Sequence, residues 1–213
     1  FLDWEKSGSD DTFSAEITSQ YIDYQSRITK NLYATIGARH EEHSDAGNED
    51  SHRVSLAYLF DDKSTKLKSS YGTSYRFPSL YEMHKAWNGT GGGPIPYAET
   101  GESWDAGIEK NFVNSGLKFD LSYFDHRYFD TIDAWLDGAG DDEKTHNQSG
   151  VVKSQGIELL SRWKKNDFLN FDLNYTYTSS YDGADWNDLV DDGFCACGGA
   201  LDKAMVRVPR NSI

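Results

Sequence analysis

The chain of 213 residues is acidic, with 35 Asp plus Glu against 21 Lys plus Arg and a net charge of −14. This balance argues against a nucleic-acid partner, because binding phosphates needs a basic face. The mean hydropathy is −0.71, yet 14% of the residues are aromatic, and disordered chains are poor in aromatics. High polarity with many aromatics is typical of a transmembrane β-barrel, which has an apolar outside, a polar inside and polar loops.

Membrane-spanning helices and a signal peptide are not predicted. No run approaches the roughly 18 apolar residues of a transmembrane helix. The first residues, Phe1–Glu5, lack the basic and apolar regions of a signal peptide, so we expect a removed leader or a start within a longer protein. Cys195 and Cys197 are too few for a structural zinc site. We interpret them as a loop pair, with a disulfide outside the cytoplasm and metal binding both left open.

Apolar and polar residues alternate with a period of two along much of the chain, which indicates β-strands. In the clearest case, Leu169–Tyr177, apolar residues alternate with asparagine, aspartate and threonine. The predicted strands lie near residues 12–25, 31–40, 51–60, 66–76, 103–112, 117–132, 150–163 and 168–178. Lipid on one side and water on the other would select this pattern. Because a soluble β-sandwich shows the same alternation, the pattern alone does not decide between them.

The predicted joins between strands alternate in length. The short joins are residues 26–30, 61–65, 113–116 and 164–167. The long joins are residues 41–50, 77–102, 133–149 and 179–204. Outer-membrane barrels have short periplasmic turns and long extracellular loops. We therefore predict an all-β fold, an antiparallel transmembrane β-barrel, in which Pro78 ends the pairing of the strand at 66–76 as it leaves the lipid.

Several motifs together resemble one known family. Residues 66–81 (KLKSSYGTSYRFPSLY) are the most specific, with Tyr-Gly-Thr followed by an aromatic, a basic residue and Pro-x-Leu. Further matching segments are 33–44 (YATIGARHEEHS), 99–112 (ETGESWDAGIEKNF), 123–132 (YFDHRYFDTI), 147–159 and 206–211 (VRVPRN). These segments resemble the TonB-dependent outer-membrane receptors, in particular the cobalamin and siderophore transporters. One departure is Gly93–Glu99, which stands where the family has Asn-Pro-x-Leu-x-Pro-Glu, so the loop there is reshaped.

The resemblance implies a fold and a function. Residues 1–213 would form eight to nine strands of a barrel of 22, from the C-terminal half of a receptor, without the plug domain and the last strands. The parent protein would reside in the bacterial outer membrane, surrounded by lipid and lipopolysaccharide. It would take up a scarce nutrient such as a ferric siderophore, haem or cobalamin, a small-molecule metal chelate or a corrinoid. Energy would come from TonB through the absent plug.

Two groups of candidate site residues follow. Aromatic residues in the long joins can stack on a ligand or pack the loops together, and these are Trp87, Tyr97, Trp135 and Trp186. Polar residues on the inward strand faces would line the lumen and meet the plug, and these are Asp105, Glu109, Asp120, Asn170, Asp172 and Asn174.

Metal sites and catalysis have weaker signals. Residues 39–45 (RHEEHSD) contain two histidines, but the spacing is not His-Glu-x-x-His, and we interpret them as solvated rim residues with cation binding as the alternative. The aspartates around Trp186, at 182–192, favour a solvated loop, with loop-bound calcium or a bridge to lipopolysaccharide through divalent ions left open. We find no nucleophile–base pair and no phosphate-binding loop. No catalytic residue and no resident cofactor is therefore predicted.

Two other architectures remain as alternatives. Eight strands are enough for a self-contained outer-membrane barrel, serving as an adhesin or an enzyme. A ninth strand beginning at Val206 weakens that alternative. The other is a secreted β-sandwich that binds glycans through exposed tryptophan and tyrosine, in which the alternation of join lengths would be accidental.

Overall fold

The computed structural model describes residues 2–5, 12–88, 94–136, 143–183 and 211–212. The elements are β1 (Leu2–Glu5), β2 (Thr12–Ala15), β3 (Ile17–Arg27), β4 (Leu32–His43), β5 (Gly47–Leu59), β6 (Thr65–Arg76), α1 (Leu80–Asn88), β7 (Glu99–Phe112), a 3-10 turn (Val113–Ser115), β8 (Leu117–Phe129), β9 (Ile132–Leu136), β10 (Glu143–Asn147), β11 (Val151–Lys164), β12 (Asn170–Asp182) and β13 (Asn211–Ser212). No helix in these ranges is both long and apolar enough to cross a membrane.

A single nine-stranded antiparallel sheet dominates the structure. Its strand order is β3-β4-β5-β6-β7-β8-β11-β12-β13, so each strand pairs with the next sheet strand along the chain. The pairs β1–β2 and β9–β10 form two separate two-stranded sheets. An up-and-down order of this kind is the topology of a barrel wall. The predicted all-β, antiparallel fold is confirmed.

The two faces of the sheet differ in chemistry because the strand register keeps like residues together. On one face, here called the apolar face, large aliphatic side chains are exposed, and these include Ile36, Leu56, Leu67, Leu121, Ile157 and Leu173. An exposed apolar surface of this extent calls for a partner, and lipid is the partner of a transmembrane sheet. On β8 the apolar stretch runs from Leu117 to Tyr123, which spans about 20 Å at the rise of a strand.

Aromatic pairs mark both edges of the apolar face. Near the short turns, Phe112 and Phe119 lie 5.7 Å apart between ring centroids, and Trp163 stacks on Phe171 at 5.8 Å. At the other edge, Trp104 contacts the ring of Tyr123 at 5.5 Å. Amphipathic rings favour the interface between lipid and water, and aromatic girdles flank the apolar band of membrane barrels. The aromatic pairs at the two edges of the apolar face therefore indicate the two borders of a membrane.

Short turns join the strands at one end of the sheet, as predicted. They comprise residues 28–31, 60–64, 113–116 and 165–169. In the turn at 60–64, the carboxylate of Asp62 accepts hydrogen bonds from the amides of Ser64 (2.9 Å) and Thr65 (3.0 Å) and from Lys110 Nζ (2.8 Å). Lys110, followed by the hydrogen bonds from Ser64 and Thr65, lowers the pKa of Asp62. The local chemistry of aspartate thus stabilises a tight reversal.

The predicted long join at 41–50 is wrong. The structure has only residues 44–46 between β4 and β5, because Glu41, Glu42 and His43 continue the ladder opposite Glu49, Asn48 and Gly47. Charged residues are accommodated in these paired strands because they have partners: Glu41 contacts Ser19 and Arg39, and the ring of His43 lies 5.1 Å from that of Phe77. His43 Nδ1 accepts the amides of Asp45 and Ala46, each at 3.1 Å, and closes the turn.

Other predicted bounds also change, and the strand predicted at 117–132 ends at Phe129. The predicted strand at 12–25 is divided at Glu16, because β2 pairs with β1 whereas β3 pairs with β4. The join at 77–102 contains α1 and ends at Glu99, where β7 begins. The join at 133–149 contains the β9–β10 hairpin. The join predicted at 179–204 begins later, because residues 179–182 still belong to β12. Beyond Gly183 it lies outside the described residues, as do Cys195 and Cys197.

A small buried core lies under α1, since a one-layer sheet has no core of its own. Met83, His84 and Ala86 of α1 are at most 5% exposed. Ala98, just before β7, is 1% exposed and Thr145 of β10 is 6% exposed. These residues pack where the strands leave the apolar band. Among the described residues, much of the side-chain burial therefore lies outside the sheet, at the end opposite the short turns.

Candidate functional site

Two segments of the chain meet at the end of the sheet opposite the short turns. We call this region the loop end, and it comprises residues 77–88, 94–98, 130–136 and 143–150. α1 packs against β10 there. The predicted ligand-contacting residues Trp87, Tyr97 and Trp135 all belong to the loop end, so its internal contacts determine how these residues are presented.

A capping box begins α1. The backbone amide of Ser79 donates to Glu82 Oε2 at 2.6 Å, and the amide of Glu82 donates back to Ser79 Oγ at 3.2 Å. This reciprocal pair satisfies helix donors that have no partner within the helix. The sequence Ser79-Leu80-Tyr81-Glu82 therefore starts a helix directly after Pro78, and the chain turns over the sheet end.

Arg76, the last residue of β6, holds the start of α1 to the start of β7. Its guanidinium donates to both carboxylate oxygens of Glu82, at 2.9 and 3.1 Å. It also donates to both oxygens of Glu99, at 2.6 and 2.8 Å. Burial alone raises the pKa of Glu82, but Arg76 and Ser79 outweigh this and the pKa lies below its ordinary value. Such two-pronged pairs are strong and geometrically specific.

The second segment is tied to the first by backbone and side-chain bonds. Glu99 Oε1 accepts the amide of Ile132 at 2.6 Å, at the start of β9. Thr145 Oγ1 donates to the carbonyl of Glu82 at 2.5 Å. Arg76, Glu82 and Glu99 thus connect β6, α1, β7 and β9 in one network. Residues predicted to belong to two separate loops form a single packed body.

Asn147 makes the third tie. Its side-chain amide accepts the amide of Tyr97 at 2.9 Å and donates to the carbonyls of Tyr97 (2.9 Å) and Asp130 (2.8 Å). The Tyr97 hydroxyl donates to Asp130 Oδ1 at 3.3 Å. Desolvation, followed by the negative charge of Asp130, raises the pKa of Tyr97. The phenol therefore stays protonated and can act as a donor at neutral pH.

The predicted ligand-contacting aromatics are placed as follows. Tyr97 is 55% exposed and lies between the two segments. Trp87 belongs to α1, and Trp135 belongs to β9, where its backbone pairs with Lys144. The side chains of Trp87 and Trp135, and the whole of Trp186, lie outside the described part of the structure. The structure therefore brings the backbones of three of the four predicted residues into the loop end.

The six predicted polar residues lie on the second face of the sheet, here called the polar face. Their register places Glu109 beside Asp120 and puts Arg162 opposite Asp172. Three basic residues that sequence reasoning missed form ion pairs with three of them: Lys66 contacts Glu109 at 2.6 Å, Lys68 contacts Asp120 at 2.5 Å, and Arg162 contacts Asp172 at 2.6 Å. Ser70 donates to Asp105. Asn170 and Asn174 share this face on β12. The polar face is a ladder of paired charges.

The two histidines of residues 39–45 lie on different faces of β4, and the interpretation of this segment as solvated is wrong for Glu41 and His43, each only 7% exposed. His40 lies on the opposite face of β4 from Glu41 and His43, and its Nδ1 contacts Asp50 at 2.7 Å. Among the described residues, no group of three or more histidine, cysteine, aspartate or glutamate side chains is placed to hold a metal ion. The aspartates around Trp186 lie outside the described residues, except Asp182, whose backbone ends β12.

Three solved structures are among those that share this fold. The siderophore receptor PirA from Pseudomonas aeruginosa is 21% identical with a TM-score of 0.68, over 79% of this chain and 35% of that one. A mutant of the ferric enterobactin receptor PfeA from Pseudomonas aeruginosa is 23% identical with a TM-score of 0.66, over 80% and 27%. The copper transporter OprC is 15% identical with a TM-score of 0.64, over 86% and 33%. The chain matches about a third of the length of these structures.

A family model described as TonB dependent receptor-like, beta-barrel, matches residues 3–213. Together with the nine-stranded sheet, this match decides against a self-contained eight-stranded barrel and against a secreted sandwich. Proteins of this family are receptors and transporters of the outer membrane rather than enzymes. The chain belongs to the TonB-dependent receptor-like β-barrel family and is a section of the barrel wall of an outer-membrane receptor.

Proposed function

We propose that the chain is part of a receptor for TonB-dependent uptake of a small-molecule metal chelate, with a ferric siderophore as the first candidate. Two of the similar structures, PirA and PfeA, are receptors for siderophores by name, which supports this class. Haem and cobalamin are the other classes that the sequence motifs suggest. The single observation that carries the proposal is the polar face. It runs along the sheet from the loop end, where Tyr97 is exposed, to the short turns.

Each surface then has a role. The loop end contacts the ligand, through Tyr97 together with Trp87, Trp135 and Trp186. The polar face lines the lumen and contacts a plug domain, through which TonB supplies energy. Glu109, Asp120 and Asp172 are paired with Lys66, Lys68 and Arg162, and Asp105 accepts from the Ser70 hydroxyl. The apolar face contacts outer-membrane lipid, and lipopolysaccharide surrounds the outer border.

Binding is tested with the intact receptor in detergent. Quenching of tryptophan fluorescence is measured for ferric enterobactin, haem, cyanocobalamin and Cu²⁺. We expect saturable binding of ferric enterobactin and uptake of ⁵⁵Fe from it only in cells with functional TonB. Saturable binding of cyanocobalamin or haem instead would replace the siderophore by that ligand. Failure of all four probes, or uptake that ignores TonB, would overturn the proposal.

Variants locate the ligand on the loop end. Trp87→Ala is expected to weaken ferric enterobactin about 2- to 10-fold, since aromatic contacts contribute about 0.5–1.5 kcal/mol. Trp163→Phe is the matched control, because Trp163 lies at the short-turn end with its indole donating to the carbonyl of Ser115. If the two substitutions changed the affinity for ferric enterobactin equally, the ligand would not bind at the loop end.

A further inference from the structure

β10 turns one side toward the first segment of the loop end. Thr145 and Asn147 are two residues apart, and side chains two residues apart in a strand point to the same side. Thr145 donates to the carbonyl of Glu82, in the first turn of α1. Asn147 reaches the backbone of Tyr97, just before β7. One short strand therefore holds both parts of the segment that carries two candidate ligand-contacting residues.

The amide of Asn147 has a demanding role. Oδ1 accepts from the Tyr97 amide, and Nδ2 donates to two carbonyls, those of Tyr97 and Asp130. With Tyr97, the Asn147 amide thus forms the same reciprocal pair of N–H···O hydrogen bonds that two backbones form in paired strands. Aspartate keeps the acceptor but lacks both donors, and alanine lacks all three groups. The arrangement is thus specific for an amide at this position.

Asp130 lies at the same junction in an unfavourable backbone conformation. Its φ is +54°, a left-handed value that is uncommon outside glycine. Its carbonyl accepts from Asn147 and its carboxylate accepts from the Tyr97 hydroxyl. Residues held in such conformations persist where the surroundings impose them, and they cluster at ligand sites. Asn147 and Tyr97 are the surroundings that hold Asp130.

We propose that Asn147 is a positioning residue of the ligand site: it joins residues 94–98 to the β9–β10 hairpin, so that both segments form one composite surface with Tyr97 at its seam. The inference rests on the proposed function for the identity of the ligand. The joint itself follows from hydrogen bonds alone. Removing it leaves the sheet intact and changes where Tyr97 is presented.

The test compares Asn147→Ala and Asn147→Asp with Gln148→Ala in the intact receptor. Gln148 is the matched control, because its amide donates to Asp133 at 2.6 Å within the same segment. Hydrogen exchange at 94–98 reports the joint through the amides of Ile95, Tyr97 and Ala98, since prolines have no amide proton. Ferric enterobactin binding reports the surface, and thermal unfolding reports the barrel. We expect both Asn147 variants to accelerate exchange at 94–98 about tenfold, since several hydrogen bonds are lost together. Binding should weaken severalfold with unchanged thermal unfolding, whereas Gln148→Ala should match the wild type.

Two results in the Asn147 variants overturn the inference. Unchanged exchange at 94–98 in Asn147→Ala would show that the joint does not hold this segment. Faster exchange with unchanged affinity would reduce Asn147 to a structural residue. A wild-type receptor that binds none of the four probes would overturn the proposed function and, with it, the positioning role, while the exchange rates would still decide the joint.

Discussion

Replacing Arg76 with alanine removes the side chain that holds α1 to the sheet. Four hydrogen bonds of 2.6–3.1 Å are lost, two to Glu82 and two to Glu99. The carboxylates of Glu82 and Glu99 are only 19% and 20% exposed, and they would be left without their cation. We therefore expect α1 to open more readily while the paired strands remain formed.

The magnitude follows from exposure. Hydrogen bonds to charged groups contribute about 1.5–3 kcal/mol each when buried, whereas exposed ion pairs contribute about 0–1 kcal/mol. The Arg76 side chain is 47% exposed, and solvent weakens its interactions. We therefore assign about 2 kcal/mol to its four hydrogen bonds together. At about 1.4 kcal/mol per factor of ten, opening of α1 becomes roughly 30-fold more frequent.

Hydrogen exchange followed by mass spectrometry measures this opening in the intact receptor. Arg127→Ala is the control, because that side chain is 49% exposed and contacts one residue, Asp125, at 3.0 Å. It should leave α1 unchanged. Arg76→Lys keeps the charge without the two-pronged geometry and should fall between wild type and alanine. Exchange of α1 that is unaffected in Arg76→Ala would refute this account of the loop end.

Three further predictions concern other parts of the structure. The pKa of Glu82 lies below its ordinary value of 4.5, so its stabilising effect is complete above about pH 4.5. Exchange of α1, corrected for its intrinsic rate, should be flat from about pH 8 to 5 and should accelerate in more acidic buffer. Leu173→Arg, on the apolar face, should cost about 2–4 kcal/mol in denaturant unfolding from vesicles, while Asn174→Arg, on the polar face, should cost far less. Equal costs would contradict the assignment of faces. Asp62→Ala should speed amide exchange at Ser64, and unchanged exchange would show that this turn does not need the carboxylate.

Much of the sheet was predictable because two solvents select it. Where lipid lies on one face and water on the other, apolar and polar side chains must alternate. This alternation allowed strands such as Leu117–Phe129 to be recognised from the sequence. The turn at 113–116 was predicted from the alternating segments on either side, and the structure shows why glycine ends it: Gly116 has φ +67° and a Cβ there would meet the carbonyl of Lys164 at 2.2 Å. Local rules were sufficient where the partner residues are close along the chain.

The hairpin at 41–50 shows where that selection ends. Past the apolar band, the strand residues Glu41, Glu42 and His43 are all polar, although Glu41 and His43 are buried and Glu42 is exposed. The charged residues at 41–50 were interpreted as a loop, whereas the backbone pairing of β4 with β5 continues through most of them. Strand ends outside a membrane therefore have no hydropathy signature.

The loop end was the least predictable part. α1 has nine residues, too few for helical periodicity, although the Ser79 and Glu82 capping box was present as a signal. The contacts of Asn147 with Tyr97 involve backbone atoms 50 positions away, and no residue pattern encodes them. Likewise, the pairing of Lys68 with Asp120 becomes evident only from the strand register.

The most direct test of the two-faced sheet is spin labelling of successive residues on β8. In an intact receptor with Cys195 and Cys197 replaced by serine, single cysteines from Leu117 to Phe129 are labelled in lipid vesicles. Labels at Leu121 and Tyr123 should collide with oxygen, which concentrates in lipid. Labels at Asp120 and Ser122 should collide with a water-soluble nickel complex or be shielded from both reagents. Accessibility without a period of two would contradict a sheet that separates lipid from a polar interior.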